Sequence, residues 1–456
     1  MATTKTTRLV VVGADAAGMS AASQAKRMRG EELDVVAYDR GTAASYSACG
    51  IPYWIGGVVA ERDDLVARTA EEHRKNGIDL KLRHEVVEID QTAQRVTVRD
   101  LDGGHEFSES YDELVLAMGA VPKRPPIEGI NAGGVFGVQT LDDGSAVLDA
   151  LDEKPKSAVV VGGGYIGVEM AEAMLERGVD VSVIEAGAEP MSALDPDMGA
   201  LVRQAMLGMG IDLRVDTKVI AIESERGHAR AVVTDAGTFP ADIVILGLGV
   251  APNTSIAAAA GLQLGNAKGL LTDRRMRVLG AEHVWAAGDC VEVRHRVSGD
   301  WVHIALGTHA NKQGRVVGTN LGGGYSTFPG VIGTAMSKVC KLEIARTGLG
   351  EAQARAVGFD PVSVTQESTT RAGYFPGASQ MTVKLVAERR TGRLLGAQIV
   401  GREQSAKRVD VAAVAIWSGM TVEEVMGLDL GYAPPFAPVW DPILIAARKL
   451  ADIIDT

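Results

Sequence analysis

A single cysteine, Cys49, lies in the polar, glycine-containing segment 45–53, directly after a strand-like run at residues 34–38. A disulfide exchange centre with two thiols would show a second cysteine within a few residues, and this segment has none. Cys49 would therefore act alone, as a thiolate, a sulfenic acid or a mixed disulfide with a small thiol. The alternative is a buried free cysteine that packs as a small hydrophobic residue. This segment alone does not decide between the two roles.

The composition fits a large α/β protein and argues against two classes of partner. The 456 residues suffice for about two to four domains, and the 54 glycines suit tight strand-to-helix turns. With 46 basic and 58 acidic residues, the net charge is −12, and no basic block stands out. We therefore expect small-molecule substrates, and neither nucleic acid nor an anionic membrane as the main partner.

The cysteines and the apolar runs indicate a reducing compartment. Cys49, Cys290 and Cys340 are far apart and do not form a disulfide framework. The first eight residues lack the apolar core of a signal peptide, and no apolar run approaches the ~20 residues of a membrane span. We expect a cytoplasmic protein in which Cys290 is structural and Cys340 is a core residue of a strand.

A first dinucleotide-binding pattern begins with the apolar run 9–12, followed by a turn from Gly13 to Gly18 and a helix-favouring segment. This order directs helix N-terminal N–H groups at a pyrophosphate. Asp15 stands where the usual pattern has its second glycine, so the motif by itself is weak. Asp39 follows about 20 positions later and is suited to hold a ribose hydroxyl pair, although it could instead be a surface turn residue.

A second, complete pattern follows the apolar run 158–161 and carries Gly162, Gly164 and Gly167, with Glu185 ending the next strand. Two such units in one chain, each with its acidic residue, rarely arise by accident. They are the strongest organisational signal in this sequence.

Glu185 also predicts that the second unit prefers a dinucleotide whose ribose carries no 2′-phosphate. Its carboxylate can accept both ribose hydroxyls, whereas a 2′-phosphate would cost about 1–3 kcal/mol, or ~5- to 150-fold. Residues 186–189 offer no Arg or Lys to neutralise that phosphate. In the alternative interpretation, Glu185 turns outward and a basic residue arrives from a distant loop.

The remaining segments complete two lobes and add a third unit. Apolar runs at 114–122 and 243–253 close the two lobes, and a strand at 283–289 ends in Gly288 and Asp289, where open α/β sheets bind ligands. Asp289 could instead be a helix N-cap. From about residue 330, alternating runs and later helical segments predict a separate α+β domain.

Together these motifs resemble the flavoprotein disulfide reductases with two dinucleotide folds, in the branch with one redox cysteine. Within it the chain is similar to the coenzyme A-disulfide reductase and NADH oxidase type. The resemblance implies an α/β protein with two Rossmann-like dinucleotide-binding domains and a C-terminal α+β dimerisation domain, as in glutathione reductase. It places the FAD-binding domain at 1–122 and 253–328, the NAD(P)-binding domain at 123–252 and the dimerisation domain at 329–456.

The resemblance also implies which residues hold the cofactors. It assigns FAD to Gly13, Gly18, Asp39, Gly119 and Asp289. It assigns NADH, with NADPH as the alternative, to Gly162, Gly164, Gly167 and Glu185. Further cofactor contacts are expected at Ala17, Arg40, Tyr165, Ile166, Gly249 and Gly288. No metal site is expected.

The same resemblance gives Cys49 the redox role. Contacts with coenzyme A, either as substrate or as a mixed-disulfide adduct on Cys49, are expected at Gln24, Arg27, Ser45, Lys407 and Arg408. Tyr374 and Tyr432 match two tyrosines that reach the cysteine of the partner subunit, which implies a homodimer. Either tyrosine could instead be only an interface residue.

The implied reaction passes electrons from NAD(P)H through flavin and Cys49 to a thiol-linked substrate, foremost coenzyme A disulfide. A low thiol pKa is expected at Cys49, supplied by a helix N-terminus and the flavin ring. The alternatives are an NADH oxidase that reduces oxygen through a cysteine sulfenic acid, a persulfide or polysulfide reductase, and a flavoprotein electron-transfer reductase. Ala16 disfavours the oxidase, because peroxidase and many oxidase relatives carry a catalytic histidine there.

Overall fold

The computed structural model describes residues 6–454, beginning with a segment that alternates strands and helices. Its parallel strands are apolar and largely buried, as is typical of parallel sheets covered on both faces, whereas its antiparallel strands carry exposed polar residues. The elements of this first segment are β1 (Thr7–Val12), α1 (Ala16–Arg29), β2 (Leu33–Asp39), α2 (Ile51–Ile55), α3 (Ala70–Lys75), β3 (Ile78–Leu82), β4 (His84–Asp90), β5 (Arg95–Asp100), β6 (Glu106–Ser110), β7 (Glu113–Leu116) and β8 (Ala120–Pro122).

The second segment repeats this arrangement around its own apolar cluster. Its elements are β9 (Val135–Phe136), α4 (Leu141–Asp152), β10 (Ser157–Val161), α5 (Tyr165–Glu176), β11 (Asp180–Ile184), α6 (Pro196–Gly208), β12 (Asp212–Arg214), β13 (Val219–Glu225), β14 (His228–Thr234), β15 (Gly237–Pro240), β16 (Ile243–Leu246) and β17 (Val250–Pro252).

The third and fourth segments follow. The third contains α7 (Ser255–Ala259), β18 (Leu270–Leu271), β19 (Val284–Ala286), β20 (Val291–Arg294), β21 (Trp301–Val302) and α8 (Gly307–Leu321). The fourth contains β22 (Ala335–Val339), β23 (Leu342–Gly348), α9 (Glu351–Ala356), β24 (Pro361–Thr369), β25 (Gln380–Glu388), β26 (Leu394–Gly401), α10 (Val409–Ser418), α11 (Val422–Met426) and α12 (Pro442–Ile454).

Two five-stranded sheets form the cores of the first two lobes. The first has the order β19-β7-β1-β2-β3 and the second β12-β11-β10-β16-β9, and every pairing within them is parallel. Because β19 belongs to the third segment, the chain returns to the first sheet after completing the second. The dinucleotide-binding domains predicted from the sequence therefore have the expected sheet architecture.

A two-stranded antiparallel ribbon, β8 with β17, joins the lobes where the chain leaves the first and comes back to it. The predicted domain boundaries after residues 122 and 252 coincide with the ends of these two strands. The exact division into domains stays a prediction.

The fourth segment forms the α+β unit. Its antiparallel sheet has the order β22-β23-β26-β25-β24, and α10 and α12 pack against it around a separate apolar cluster. The predicted fold class is confirmed. Within residues 6–454, no helix is both long and apolar enough to cross a membrane.

A buried ion cluster fixes the fourth segment against the second. Lys384 Nζ, on a side chain only 4% exposed, lies 3.2 Å from Asp195, 2.7 Å from Asp197 and 2.8 Å from Glu351. Its amine satisfies carboxylates from both segments, which offsets the cost of burying these charges. This contact sets how the C-terminal unit lies against the second dinucleotide fold.

Candidate active site

A cavity of about 1330 Å³ runs between the two glycine turns and contains Cys49 in its wall. It is bordered by the carboxyl ends of parallel strands from both lobes, the position at which open α/β sheets bind ligands. The first turn lines one half of the cavity and the second turn the other half. Most of the predicted site residues meet here.

The first turn is so tight that only glycine fits at two positions. Gly13 has φ +102°, and a Cβ there would lie 2.1 Å from the Ala117 carbonyl oxygen. A Cβ on Gly18 would lie 1.9 Å from the Gly13 carbonyl oxygen. These contacts bring the start of α1 against β1 and leave its first N–H groups facing the cavity.

Asp39 closes this turn from the end of β2. Its two carboxylate oxygens accept the N–H groups of Ala14 and Gly41, each at 2.7 Å. Burial raises the pKa of Asp39, and these two N–H groups oppose that shift. Each oxygen keeps a further lone pair toward the cavity, as a ribose hydroxyl pair requires.

The second turn repeats this geometry around Glu185, at the end of β11. Its carboxylate oxygens accept the N–H groups of Gly163 and Gly187, each at 2.7 Å. A Cβ on Gly167 would lie 1.9 Å from the Gly162 carbonyl oxygen. Glu185 therefore faces the turn and lines the cavity rather than turning outward.

Three further glycines border the cavity at its centre. Gly119, Gly249 and Gly288 have φ of +68°, +77° and +85°, conformations that other residues adopt only with strain. A Cβ on Gly288 would lie 2.9 Å from the Cβ of Ala17. These residues leave room for a planar ligand close to the backbone.

Asp289 follows Gly288 and lines the same part of the cavity. Burial raises the pKa of its carboxyl, and His303 partly opposes that shift. His303 Nε2 donates a hydrogen bond of 2.8 Å to the Asp289 carbonyl oxygen. This bond holds the end of β19, so the carboxyl points at the ligand space.

Cys49 lies in a short 3-10 turn, Ala48–Gly50, just before α2. The loop before it is tied to the first glycine turn, because Ser45 N–H donates to the Ala14 carbonyl at 3.0 Å and Tyr46 N–H to Asp15 Oδ1 at 3.1 Å. Cys49 is exposed to the cavity in the single chain. These hydrogen bonds of Ser45 and Tyr46 hold the Cys49 thiol at the junction of the two halves of the cavity.

The chain's own side chains do not lower the pKa of the Cys49 thiol, so the low pKa expected from a helix N-terminus and the flavin ring stays a prediction. Burial raises this pKa, and Glu169, Asp289 and Asp15 raise it further. No cation appears among the groups that shift it, whereas a thiolate needs positive charge nearby. Without other groups bound, Cys49 therefore favours the neutral thiol.

Glu169 is a site residue that sequence reasoning missed. It lies on α5 four positions after Tyr165, so both face the cavity from the same side of the helix. Burial raises the pKa of Glu169, and the Ser337 hydroxyl donates to it at 2.7 Å. The available signal was this helical spacing after the second glycine turn.

Tyr165 and Ile166 line the cavity at the start of α5, as predicted. The Tyr165 hydroxyl is buried without a hydrogen-bond partner among the described residues. Burial raises its pKa, which Arg346 opposes. Such an unsatisfied hydroxyl favours a ligand that fills the space beside it.

The five residues expected to contact coenzyme A lie outside the cavity wall. Arg27 donates to Gln24 at 2.7 Å on α1, and the Ser45 hydroxyl lies 2.9 Å from His73 Nε2. Lys407 is exposed and pairs with Asp410. Their contact with coenzyme A stays a prediction.

The fifth, Arg408, has a structural role in the single chain. Its guanidinium pairs with Asp441 at 3.1 Å and donates to the carbonyls of Thr370 and Phe436 at 2.8 and 2.7 Å. It thereby joins the loops that carry Tyr374 and Tyr432. A contact with substrate would have to compete with these bonds.

Interaction with the neighbouring Tyr374 hydroxyl raises the pKa of Tyr432. Their side chains are exposed and do not line the cavity of their own chain. The structure therefore brings the two tyrosines together but not to the Cys49 of the same subunit. Their catalytic role stays a prediction.

Of the other two cysteines, Cys290 lies in the core, which fits its predicted structural role, and Cys340 does not lie where it was predicted. Cys290 is fully buried and donates to the Leu116 and Ala287 carbonyls. The placement of Cys340 in a strand core is wrong. It occupies the turn between β22 and β23 with φ +48°, partly exposed, where burial and then Glu172 raise its pKa to about 11.

Comparison with known proteins defines the class. The family model for pyridine nucleotide-disulphide oxidoreductases matches residues 7–314, and the model for the family's dimerisation domain matches residues 334–442. The chain belongs to this family. It is an enzyme that uses FAD and NAD(P)H, and the resemblance inferred from the motifs is confirmed.

Individual relatives within this family have more specific names. The NAD(P)H coenzyme A polysulfide/persulfide reductase of Pyrococcus horikoshii is 39% identical over 97% of this chain and 98% of its own. An NADH oxidase of Methanocaldococcus jannaschii is 34% identical over 97% and 98%. The structure of an NAD-dependent persulfide reductase from A. fulgidus matches with TM-score 0.95 and 37% identity, over 98% of this chain and 84% of that chain.

The residues of the cavity fit both cofactors. The first turn, Asp39 and Asp289 offer N–H groups and hydroxyl acceptors suited to FAD, and the second turn with Glu185 offers the same to NAD(P)H. When bound, FAD accepts a hydride equivalent from NAD(P)H and makes its electron pair available to sulfur. The individual contacts with the cofactors stay predictions.

One prediction concerns the acidic surroundings of Cys49. Glu169→Gln removes a negative charge that raises the Cys49 pKa, so the thiol should react with iodoacetamide at lower pH than in the wild type. The measurement is the rate of alkylation at Cys49 against pH, followed by peptide mass. Glu172→Gln, on the same helix but not among the groups that raise this pKa, is the matched control. An unchanged profile in Glu169→Gln would contradict the electrostatic account.

A second prediction concerns the nicotinamide cofactor. Because Glu185 faces the cavity, kcat/KM should favour NADH over NADPH by ~5- to 150-fold. Lys218 lines the same half of the cavity, and sequence reasoning missed it. Equal values for both nucleotides would contradict the prediction. In that case, a selective loss of NADPH turnover in Lys218→Met would identify this amine as the phosphate partner.

Proposed function

We propose that this enzyme reduces disulfide bonds of coenzyme A, with coenzyme A disulfide as the foremost substrate. The observation that carries the proposal is a single thiol, Cys49, exposed in the cavity between the two cofactor turns. No second cysteine of the described residues lines that cavity, so the substrate must supply the second sulfur. A relative that acts on coenzyme A polysulfide or persulfide, 39% identical, supports coenzyme A as the carrier of that sulfur.

In the proposed reaction, Cys49 Sγ attacks one sulfur of coenzyme A disulfide, forms a mixed disulfide and expels one coenzyme A thiolate. Cleavage of the mixed disulfide by the electron pair from NAD(P)H returns the Cys49 thiolate and yields the second coenzyme A thiolate. The two thiolates take up one proton from NAD(P)H and one from solvent. The partner subunit's Tyr432, oriented by the partner's Tyr374, would hold the proton at the leaving sulfur.

The acidic surroundings of Cys49 support a substrate-bound sulfur rather than a free thiolate as the resting species. Glu169, Asp289 and Asp15 all disfavour a negative charge on Cys49, and a mixed disulfide carries none. Formation of that bond therefore removes an electrostatic cost that the protein imposes on the thiolate.

Two other electron acceptors are alternatives to coenzyme A disulfide in this proposal. Coenzyme A persulfide presents the same sulfur–sulfur bond and is supported by the two persulfide reductases among the relatives. Oxygen is supported by the related NADH oxidase, but Ala16 offers no acid or base in the glycine turn beside the Cys49 loop. An electron-transfer reductase would need neither Cys49 in the cavity nor the two linked tyrosines.

Assembly as a homodimer and a cytoplasmic location complete the proposal. The dimerisation domain and the exposed side chains beside the tyrosines, Phe436, Val439 and Trp440, support a surface that a second copy covers. Only a second copy could carry Tyr374 and Tyr432 to Cys49. An exposed thiol of this kind is kept reduced in the cytoplasm.

Replacement of Cys49 tests the function. Cys49→Ser should keep its FAD and its reduction by NADH, because the cofactor turns lie elsewhere, and should lose more than about a hundredfold in reduction of coenzyme A disulfide. The measurement is anaerobic NADH oxidation with coenzyme A disulfide or coenzyme A persulfide. Cys340→Ser, with its thiol in the β22–β23 turn, is the control. Near wild-type reduction of both substrates by Cys49→Ser would refute the proposal.

A charge in the exposed apolar surface tests the dimer. Val439→Asp would place a carboxylate at the proposed interface, so the protein should become monomeric and lose about tenfold or more in disulfide reduction, with flavin reduction by NADH unchanged. Light scattering and rapid-mixing absorbance measure the two effects. Leu207→Asp, also exposed but on α6 of the second segment, should change neither. A fully active monomer would contradict the proposed role of the tyrosines.

A further inference from the structure

Asp15 is the ionisable residue of the first glycine turn, and the proposed reaction does not use it. It occupies the position at which the usual pattern has a second glycine, directly before α1, and it lines the cavity. Its Oδ1 accepts the Tyr46 N–H at 3.1 Å, in the loop that leads to Cys49. A carboxyl group thus stands at the helix N-terminus where the pattern normally leaves bare backbone.

The groups around Asp15 are themselves acidic. Asp39 approaches from the end of β2 and Asp289 from the end of β19, and both disfavour ionisation of Asp15. The other titratable groups that face it are Tyr46, whose pKa it raises, and Cys49. Burial, with these two carboxyls, raises the pKa of Asp15 to about 7.

The positive groups nearby serve the neighbouring carboxyls instead. Arg40 acts on Asp39, and His303 acts on Asp289. Neither is among the groups that set the ionisation of Asp15. The groups that chiefly favour the ionised form of Asp15 are the backbone N–H groups of Tyr46 and Ala16. The N–H groups at this helix N-terminus would serve a bound diphosphate as well.

We propose that Asp15 takes up one proton when FAD binds, because the flavin diphosphate must lie on the turn that carries this carboxyl. Asp39 and Asp289 both act on Asp15 and line the same cavity, and they are the residues suited to the adenosine ribose and to the ribityl chain, so a bound diphosphate would be held between them. A negative phosphate beside an ionised carboxylate repels it, whereas a neutral carboxyl can donate a hydrogen bond. The inference rests on FAD binding by this family and not on the coenzyme A proposal.

The direction of the pH effect follows from this proton. Well below the pKa of about 7, Asp15 is protonated in both the free and the FAD-bound protein, so affinity for FAD does not change with pH. Above pH 7 the free protein has lost this proton and the FAD-bound protein keeps it. The dissociation constant of FAD should then rise about tenfold per pH unit, until the higher pKa of the bound state is reached.

The same carboxyl couples the cofactor to the redox loop. A neutral Asp15 still accepts the Tyr46 N–H through its carbonyl oxygen, so the loop keeps its position when FAD is bound. When FAD leaves at high pH, the ionised carboxylate disfavours a thiolate at Cys49. The enzyme without flavin should therefore be protected from reaction at its cysteine.

The test uses the holoenzyme. Diluted between pH 6 and 9, it releases FAD, whose fluorescence gives the dissociation constant at each pH. In the wild type, we expect the dissociation constant of FAD to be constant below about pH 7 and to rise about tenfold per pH unit above it. In Asp15→Asn, it should rise less than about threefold over the whole range. This variant keeps the acceptor for the Tyr46 N–H. Asp15→Gly, which restores the usual glycine, should behave like Asp15→Asn and serves if that variant does not fold.

Two controls separate Asp15 from other titrating groups. Asp149→Asn, on the exposed face of α4, and Cys49→Ser should both keep the wild-type slope. A flat profile in the wild type would overturn the proposal, as would a wild-type slope in Asp15→Asn or loss of the slope in Cys49→Ser. None of these results would bear on the proposal that the enzyme reduces coenzyme A disulfide.

Discussion

Two carboxylates that bridge backbone N–H groups hold the active site together. Asp39 joins Ala14 to Gly41, and Glu185 joins Gly163 to Gly187, with every bond at 2.7 Å. Each bridge fixes a glycine turn to the end of the neighbouring strand and leaves lone pairs for a ribose. The Cys49 loop in turn hydrogen-bonds to the first turn, so the distance from thiol to both cofactor sites depends on these bridges.

The acidic side chains around Cys49 suit a cysteine that reacts by forming a disulfide bond with its substrate. Glu169, Asp289 and Asp15 disfavour a thiolate at Cys49, and no cation is among the main groups that shift its pKa. A disulfide with substrate avoids this cost, which links the electrostatics to the single-cysteine chemistry. The same surplus of carboxyls makes cofactor binding sensitive to protons at Asp15.

The turns, strands and acidic partners could be predicted because their signals are short-range. A glycine turn and an acidic residue one strand later form one βαβ unit, and the two units repeat it. Glu169 was missed although its helical spacing after the second glycine turn was a signal. Lys218 could not be predicted, because which distant side chains reach the cavity depends on how the segments pack. The same reason applies to the acidic side chains that raise the pKa of Cys49, and a hairpin turn at Cys340 interrupted a strand-like pattern.

The most direct measurement is the intact mass of the protein after anaerobic exposure to coenzyme A disulfide, followed by NADH. The account predicts one coenzyme A adduct per chain, located on Cys49 by peptide mass, and its complete removal by NADH with release of one coenzyme A thiol. An adduct on Cys340 alone, or an adduct on Cys49 that NADH does not remove while the flavin is reduced, would contradict it.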